Sequence, residues 1–151
     1  MAKYDDASWH YGGDFPKELV NENAATHIGM FITWCADHDL LSEFQLEDAG
    51  EAIGMVKNRT ITGAEFLMDY CDEKFTDEDL DETGNAFTGA YYHEDTAFAT
   101  TYAPYLEDYC LAFENRNLPS IYHLENTWEN YNVLKPILNK RFAEWKAFVK
   151  K

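Results

Sequence analysis

The sequence predicts an all-α protein, a compact single domain of about six to seven helices with a structured amino-terminal loop. Three observations carry this. Apolar residues recur at three- and four-residue spacing through most of the chain, polar capping residues precede those stretches, and no segment shows the convincing apolar–polar alternation of a half-buried strand. A chain of 151 residues is one domain by size and can bury a core, and its 46% hydrophobic and 16% aromatic content excludes a disordered acidic tail.

The stretch from Tyr4 to Pro16 is aromatic and acidic, and Gly12, Gly13 and Pro16 make it a structured loop rather than a helix. The first helix spans residues 24–39, with Asn23 as N-cap and Ile28, Phe31, Ile32, Trp34 and Cys35 inward. Ala25 and Gly29 predict close packing against another helix. A second helix spans residues 46–57, with Ala49, Ile53 and Val56 inward and Lys57 and Arg59 at the negative end of its dipole. Thr62-Gly-Ala-Glu65 is a capping box that opens a helix carrying Phe66, Leu67, Tyr70 and Cys71 inward. Thr76 caps a short acidic turn through Asp81, which Gly84-Asn85 stops.

Residues 86–92 fit a helix through Ala86, Phe87, Ala90 and Tyr91, or a strand through Tyr91 and Tyr92. A helix over 101–113 turns Tyr102, Tyr105, Leu106, Tyr109, Cys110 and Phe113 inward, and Pro104 fits only near its start. Asn117-Leu-Pro119 is a loop, and Asn126-Thr-Trp-Glu129 resembles a capping box. The last helix begins near Lys135 with Pro136 in its first turn, and Ile137, Leu138, Phe142, Trp145 and Val149 line one face.

Charge is the strongest functional signal. Lys and Arg number 12 against 28 Asp and Glu, a net of −16. From Asn132 onward six basic residues face only Glu144, so the part before Asn132 holds six basic and 27 acidic residues, a net of −21. Such a surface repels nucleic acid and anionic membrane, and it steers basic proteins toward itself. No apolar run approaches the ~20 residues of a membrane helix, and no basic patch followed by an apolar run opens the chain, so the expected compartment is the cytoplasm. Cys35, Cys71 and Cys110 lie far apart in apolar helical patterns, as buried free thiols in a reducing compartment do.

No P-loop, dinucleotide fingerprint, nucleophile elbow or paired-histidine metal motif is present, so neither a cofactor nor a resident metal is expected. Asp77, Asp79 and Asp81 match the first ligands of a calcium loop. Glu82 and Thr88 then stand where Gly and Glu are required, and the run reads as a solvated helix start. His27 and His38 could share a helix face, and His93-Glu94-Asp95 could form a metal corner. In the amino-terminal stretch Asp5, Asp6, His10 and Asp14 cluster with Trp9. They form either a carboxylate–histidine site, joined by His93 or His123, or turns pinned down by aromatic rings.

Partner binding is assigned to the densest acidic stretch, Glu65, Asp69, Asp72, Glu73, Asp77, Glu78, Asp79, Asp81 and Glu82, with Tyr91 and Trp128 as aromatic anchors. Acids steer a basic partner and buried rings hold it. The stretches YDDASWHYGGDFP from Tyr4, ENAATHIGMF from Glu22, TGAEFL from Thr62, and YHLENTWENY from Tyr122 with the later RFAEWK resemble a family of small acidic bacterial proteins of undefined function. That resemblance implies no activity. By analogy of size and charge, such proteins are immunity partners of secreted toxins, which makes a basic cognate toxin, for instance a nuclease, the expected partner. A metal-dependent enzyme or metal-binding protein at the amino-terminal loop, and a housekeeping interaction module, are the alternatives.

Overall fold

The computed structural model describes residues 2–13 and 15–150. Among them the chain forms a mainly helical fold with one two-stranded sheet. Strand β1 (Lys3–Asp6) runs into helix α1 (Ala7–Tyr11), so the expected loop is a strand followed by a short helix. The reason is local. The Asp6 side chain accepts hydrogen bonds from the Ser8 amide at 2.9 Å and the Ser8 hydroxyl at 2.6 Å, which starts the helix, and Gly12 follows its end. β1 pairs antiparallel with β2 (Lys74–Thr76), with Asp5 opposite Phe75 and Asp6 opposite Lys74. Neither strand is long enough to show an alternation in sequence.

Helix α2 (Thr26–Asp37) is the centre of the molecule: every residue from Thr26 to Ala36 is buried. A helix that is apolar on all sides has to be surrounded, and α3, α4 and α8 pack around it. It starts from a 3-10 turn (Asn21–Ala25), and Ala25 at its N-cap position makes no side-chain bond, so the expected Asn23 cap is not formed. Helix α3 (Glu43–Lys57) starts earlier than expected because Ser42 accepts from the Gln45 amide, and it bends at Ala49, just before Gly50. Helix α4 (Gly63–Tyr70) opens on the Thr62–Glu65 capping box. It crosses α2 at backbone contact: a Cβ on Gly29 would lie 2.6 Å from the Ala64 Cα, and one on Gly63 would collide with the Gly29 carbonyl.

Thr76 caps a 3-10 turn (Asp77–Asp79), as expected. Asp81 then caps α5 (Glu82–Tyr91) by accepting from the Gly84 amide, so Gly84 and Asn85 begin a helix rather than stop one. The expected helix over 101–113 is two, α6 (Ala97–Thr101) and α7 (Tyr105–Ala112), because Pro104 takes the extended conformation between them. Thr127 caps α8 (Trp128–Val149), which therefore begins one and a half turns or more before Lys135. Pro136 sits inside it. Pro136 and Asn132 are both exposed, so the proline lies on the solvent side of the helix, while buried Tyr131, Leu134 and Leu138 hold the helix on either side.

Trp145 is buried, its ring parallel to Phe142 at 5.9 Å and packed on Phe87, whereas Val149 is exposed. Trp145→Ala should cost about 3 kcal/mol by emptying this stack, read as a lowered denaturant midpoint. An unchanged midpoint would place Trp145 on the surface.

Cys35 is buried and Cys71 half-buried, but Cys110 is exposed on the outer side of α7, contrary to the expectation for it. Burial pushes the Cys35 thiol well up and the Cys71 thiol to about 12. Native protein should therefore lose Cys110 to a thiol reagent first and Cys35 last, with three thiols counted once unfolded. A single thiol in the unfolded chain would reveal a disulfide. Among the described residues, no helix is long and apolar enough to cross a membrane.

Candidate functional site

Two of the residues expected to form an amino-terminal site do meet. The β1–β2 ladder fixes Asp5 at the inner end of the strand, and one turn of α1 brings His10 back over it. His10 Nε2 lies 2.7 Å from Asp5 Oδ1, and the other carboxylate oxygen, Oδ2, lies 3.0 Å from His27 Nε2 in the first turn of α2. The Tyr92 hydroxyl donates to Asp5 Oδ2 at 2.7 Å, and the Asp6 amide donates to Oδ1 at 2.8 Å. His10 Nδ1 is 2.7 Å from the Tyr122 hydroxyl, and the Tyr105 hydroxyl donates to the His27 carbonyl at 2.6 Å. The two imidazole rings meet edge to face, 4.6 Å apart.

The electrostatics follow from burial and these bonds. Burial alone would raise the Asp5 pKa, but the hydrogen bonds and charges of His10 and His27 outweigh it and hold the carboxyl well below the usual range. Burial lowers the His27 pKa despite Asp5, so His27 is neutral near pH 7 and donates its Nε2 proton to the carboxylate. Burial, reinforced by the Asp5 charge, raises the Tyr92 hydroxyl well above its ordinary value. The result is an ionised carboxylate with four donors around it. His10 is its outer member, at the floor of a cleft of about 520 Å³ that Trp9, His93, Glu94, Asp95 and Leu106 help to line.

The other expected members stand apart. Asp6 caps α1 and pairs with Lys3 at 3.1 Å. Trp9 is 56% exposed beside the cleft, with Lys3 over its ring. Asp14 lies outside the described residues. His93 is exposed on the rim, packed on Tyr4, and His123 bonds Glu18 and Ser120 away from the cluster. His38 sits on Trp34, not with His27. His27, Tyr92 and Tyr122 were not assigned to the site from sequence. The signal available for His27 was its place in an apolar helical run, where an imidazole needs a buried partner.

The acidic stretch divides into working and free residues. Asp79 is buried and accepts from the Thr76 amide at 2.8 Å and from Gln45, and Asp81 caps α5, so neither presents a free carboxylate. Asp77 accepts from the Ala2 amide and Glu73 from the Tyr11 hydroxyl. Asp72 and Glu73 take positive φ in the turn before β2, and Asp72 pairs with Lys74. Glu65 completes the α4 capping box. Asp69, Glu78 and Glu82 are the freely exposed carboxylates of the set. Tyr91 is 0% exposed and bonds Asp108, which also holds Arg141 at 2.8 and 3.1 Å, so Tyr91 is a core residue and not a partner anchor. Trp128 is half-buried beneath the Arg59 guanidinium, which Asp37 clamps with two hydrogen bonds.

A different face carries free acids and apolar side chains together. On α3 and the end of α4, Leu46 and Tyr70 are 49% and 50% exposed. Glu47, Asp48 and Glu51 stand exposed beside Leu46 and Tyr70. Leu46, Met55 and Tyr70 frame a hollow of about 600 Å³ with Glu47, Asp48 and Glu51, and no basic residue lines it.

Residues 3–124 match the family model described as domain of unknown function (DUF7832). No curated protein matches the chain, and no solved structure does. The match runs from β1 to the end of the Ile121–His123 turn and takes in Asp5, His10, His27, Tyr92 and Tyr122 as well as the α3–α4 face, and the protein belongs to the DUF7832 family.

Proposed function

We propose that the protein is a binding module for a basic protein, and that this partner is a cognate antibacterial toxin which it neutralises by occlusion. The observation that carries the reading is the α3–α4 face: Leu46 and Tyr70 exposed beside Glu47, Asp48 and Glu51 around a hollow that no basic side chain lines. Apolar side chains in a ring of like charge are what a surface needs to hold a partner of opposite charge. The acids raise the encounter rate and the apolar side chains slow dissociation once water is excluded. A net charge of −16 extends that field over the molecule. The toxin step rests on the analogy with small acidic immunity proteins, and if the partner is a nuclease, these carboxylates would occupy the places of substrate phosphates.

A pull-down from the native cell should recover one stoichiometric basic protein, whose expression alone arrests growth and whose co-expression with this chain does not. Stopped-flow association with that partner should separate the two kinds of side chain. Glu47→Gln, Asp48→Asn and Glu51→Gln together should slow association about tenfold at low salt and flatten its salt dependence. Leu46→Ala with Tyr70→Ala should instead speed dissociation, because truncating a hot-spot side chain costs about 2 kcal/mol or more. Wild-type rates in both variants would remove this face from the interface. A partner that is harmless when expressed alone would replace the toxin with a housekeeping assembly.

A further inference from the structure

We propose that Asp5, His10 and His27 form a binding site for one divalent transition-metal ion of the zinc type. They are, among the described residues, the one group of three or more ligand-type side chains whose donor atoms all come within 4.8 Å of one another. The donor set is two imidazole nitrogens and one carboxylate, which selects zinc-like ions over calcium or magnesium, whose sites are built from oxygen. Each donor stands on a different regular element, β1, α1 and α2, so the set is held by the fold rather than by one flexible loop.

The surroundings suit a metal centre as well. Metal-bound histidine uses one ring nitrogen for the ion and directs the other to an oxygen that fixes its orientation. His10 presents Nε2 inward to Asp5 and Nδ1 outward to the Tyr122 hydroxyl at 2.7 Å, which is that division. The Tyr92 hydroxyl orients the carboxylate in the same way. His27 and Asp5 have 4% and 5% of their side chains exposed and His10 has 18%, so the set is closed on the core side and reached from the cleft past His10. In the ion-free state the two Nε2 protons occupy the space between nitrogen and carboxylate. Binding requires both Nε2 atoms free of their protons, and the rings draw back from hydrogen-bond distance so that one ion fits between the two nitrogens and the carboxylate. Three protein donors leave one coordination position toward the cleft, the arrangement of a zinc ion that binds a water or a small ligand rather than a purely structural one.

Metal-stripped protein carrying Cys110→Ser, which removes the exposed thiol as a competing ligand, should be titrated with Zn²⁺ and with Co²⁺ in excess Mg²⁺. One ion per chain is expected, with the visible absorption of Co²⁺ in a nitrogen–oxygen site and with the ring-nitrogen NMR signals of His10 and His27 both shifted by Zn²⁺. His10→Ala should lose saturable binding. Tyr122→Phe, which leaves all three ligands in place, should bind roughly 10- to 100-fold more weakly. If His10→Ala does not fold, the ring-nitrogen shifts and Tyr122→Phe still decide the matter. Zinc binding no tighter than magnesium, equal binding by folded His10→Ala, or unshifted His10 and His27 rings would overturn the site and leave Asp5 as a hydrogen-bonded latch for β1.

Discussion

Gly63→Val should abolish folding or cost on the order of 5 kcal/mol, close to the whole stability of a small domain. Gly63 opens α4 where that helix lies against α2, and a side chain there would run into the Gly29 carbonyl and the Thr33 hydroxyl. Neither can retreat. Thr33 donates to the Gly29 carbonyl at 2.7 Å, and α2 is enclosed on all sides. The two helices would have to separate, opening the centre of the core. Gly54 on α3 is the control. A Cβ there meets nothing within 4 Å, so Gly54→Ala should stabilise by about 0.5–1 kcal/mol through helix propensity alone. Thermal or denaturant unfolding of both variants checks the contrast. A Gly63→Val protein as stable as wild type would mean that α2 and α4 do not touch through their backbones.

Asp5→Ala should cost about 3–5 kcal/mol, because it leaves several buried donors facing an empty space. The Tyr92 hydroxyl, the His27 ring and the Asp6 amide lose their acceptor, and His10 loses its inner partner. Acid should act through the same cluster. The His27 pKa is lower in the folded protein than in the unfolded chain, so its contribution is complete above about pH 6.5 and is progressively lost as pH falls below that value. The Asp5 pKa is also lowered, so its contribution is complete above about pH 4 and is lost as pH falls further. Both act in one direction. Stability should fall on acidification in two stages, His27→Gln should remove the first, and Asp5→Asn should remove the second. Unfolding midpoints measured from pH 7.5 downward decide it. A midpoint that does not change between pH 7 and pH 5 would mean that His27 is as protonated in the fold as in the unfolded chain.

Much of the fold was legible because the relevant interactions are local. Thr62 and Glu65 are three residues apart, and Thr76 and Asp79 repeat that spacing, so their capping bonds follow from spacing alone. The stripes through Ile28, Phe31 and Ile32 and through Leu138 and Trp145 show which way each helix faces, and those residues are buried. Local rules failed where two of them competed. Asn126-Thr-Trp-Glu129 and Lys135-Pro136 both carry helix-start signals, and one helix capped by Thr127 spans both because buried Tyr131 and Leu134 extend its stripe. Tyr70 and Cys110 keep helical spacing with inward neighbours, yet both are exposed, since spacing cannot say where the neighbouring element ends.

The site was legible only in part. The sequence by itself determined that the protein is helical, that its charge is strongly negative before Asn132, and that Asp5 and His10 stand close in the chain among aromatic residues. Which partners those two have was decided by the tertiary structure. His27 meets Asp5 from 22 residues away, Tyr92 from 87, and Tyr122 meets His10 from 112. The same structure takes Asp79 and Tyr91 away from the surface and brings Tyr70 beside Leu46 on an acidic face. The physical reason is that a buried polar group is stabilised only by the partner that reaches it. Which partner does so depends on how all the helices pack together, while a cap or an apolar stripe is complete within its own few turns.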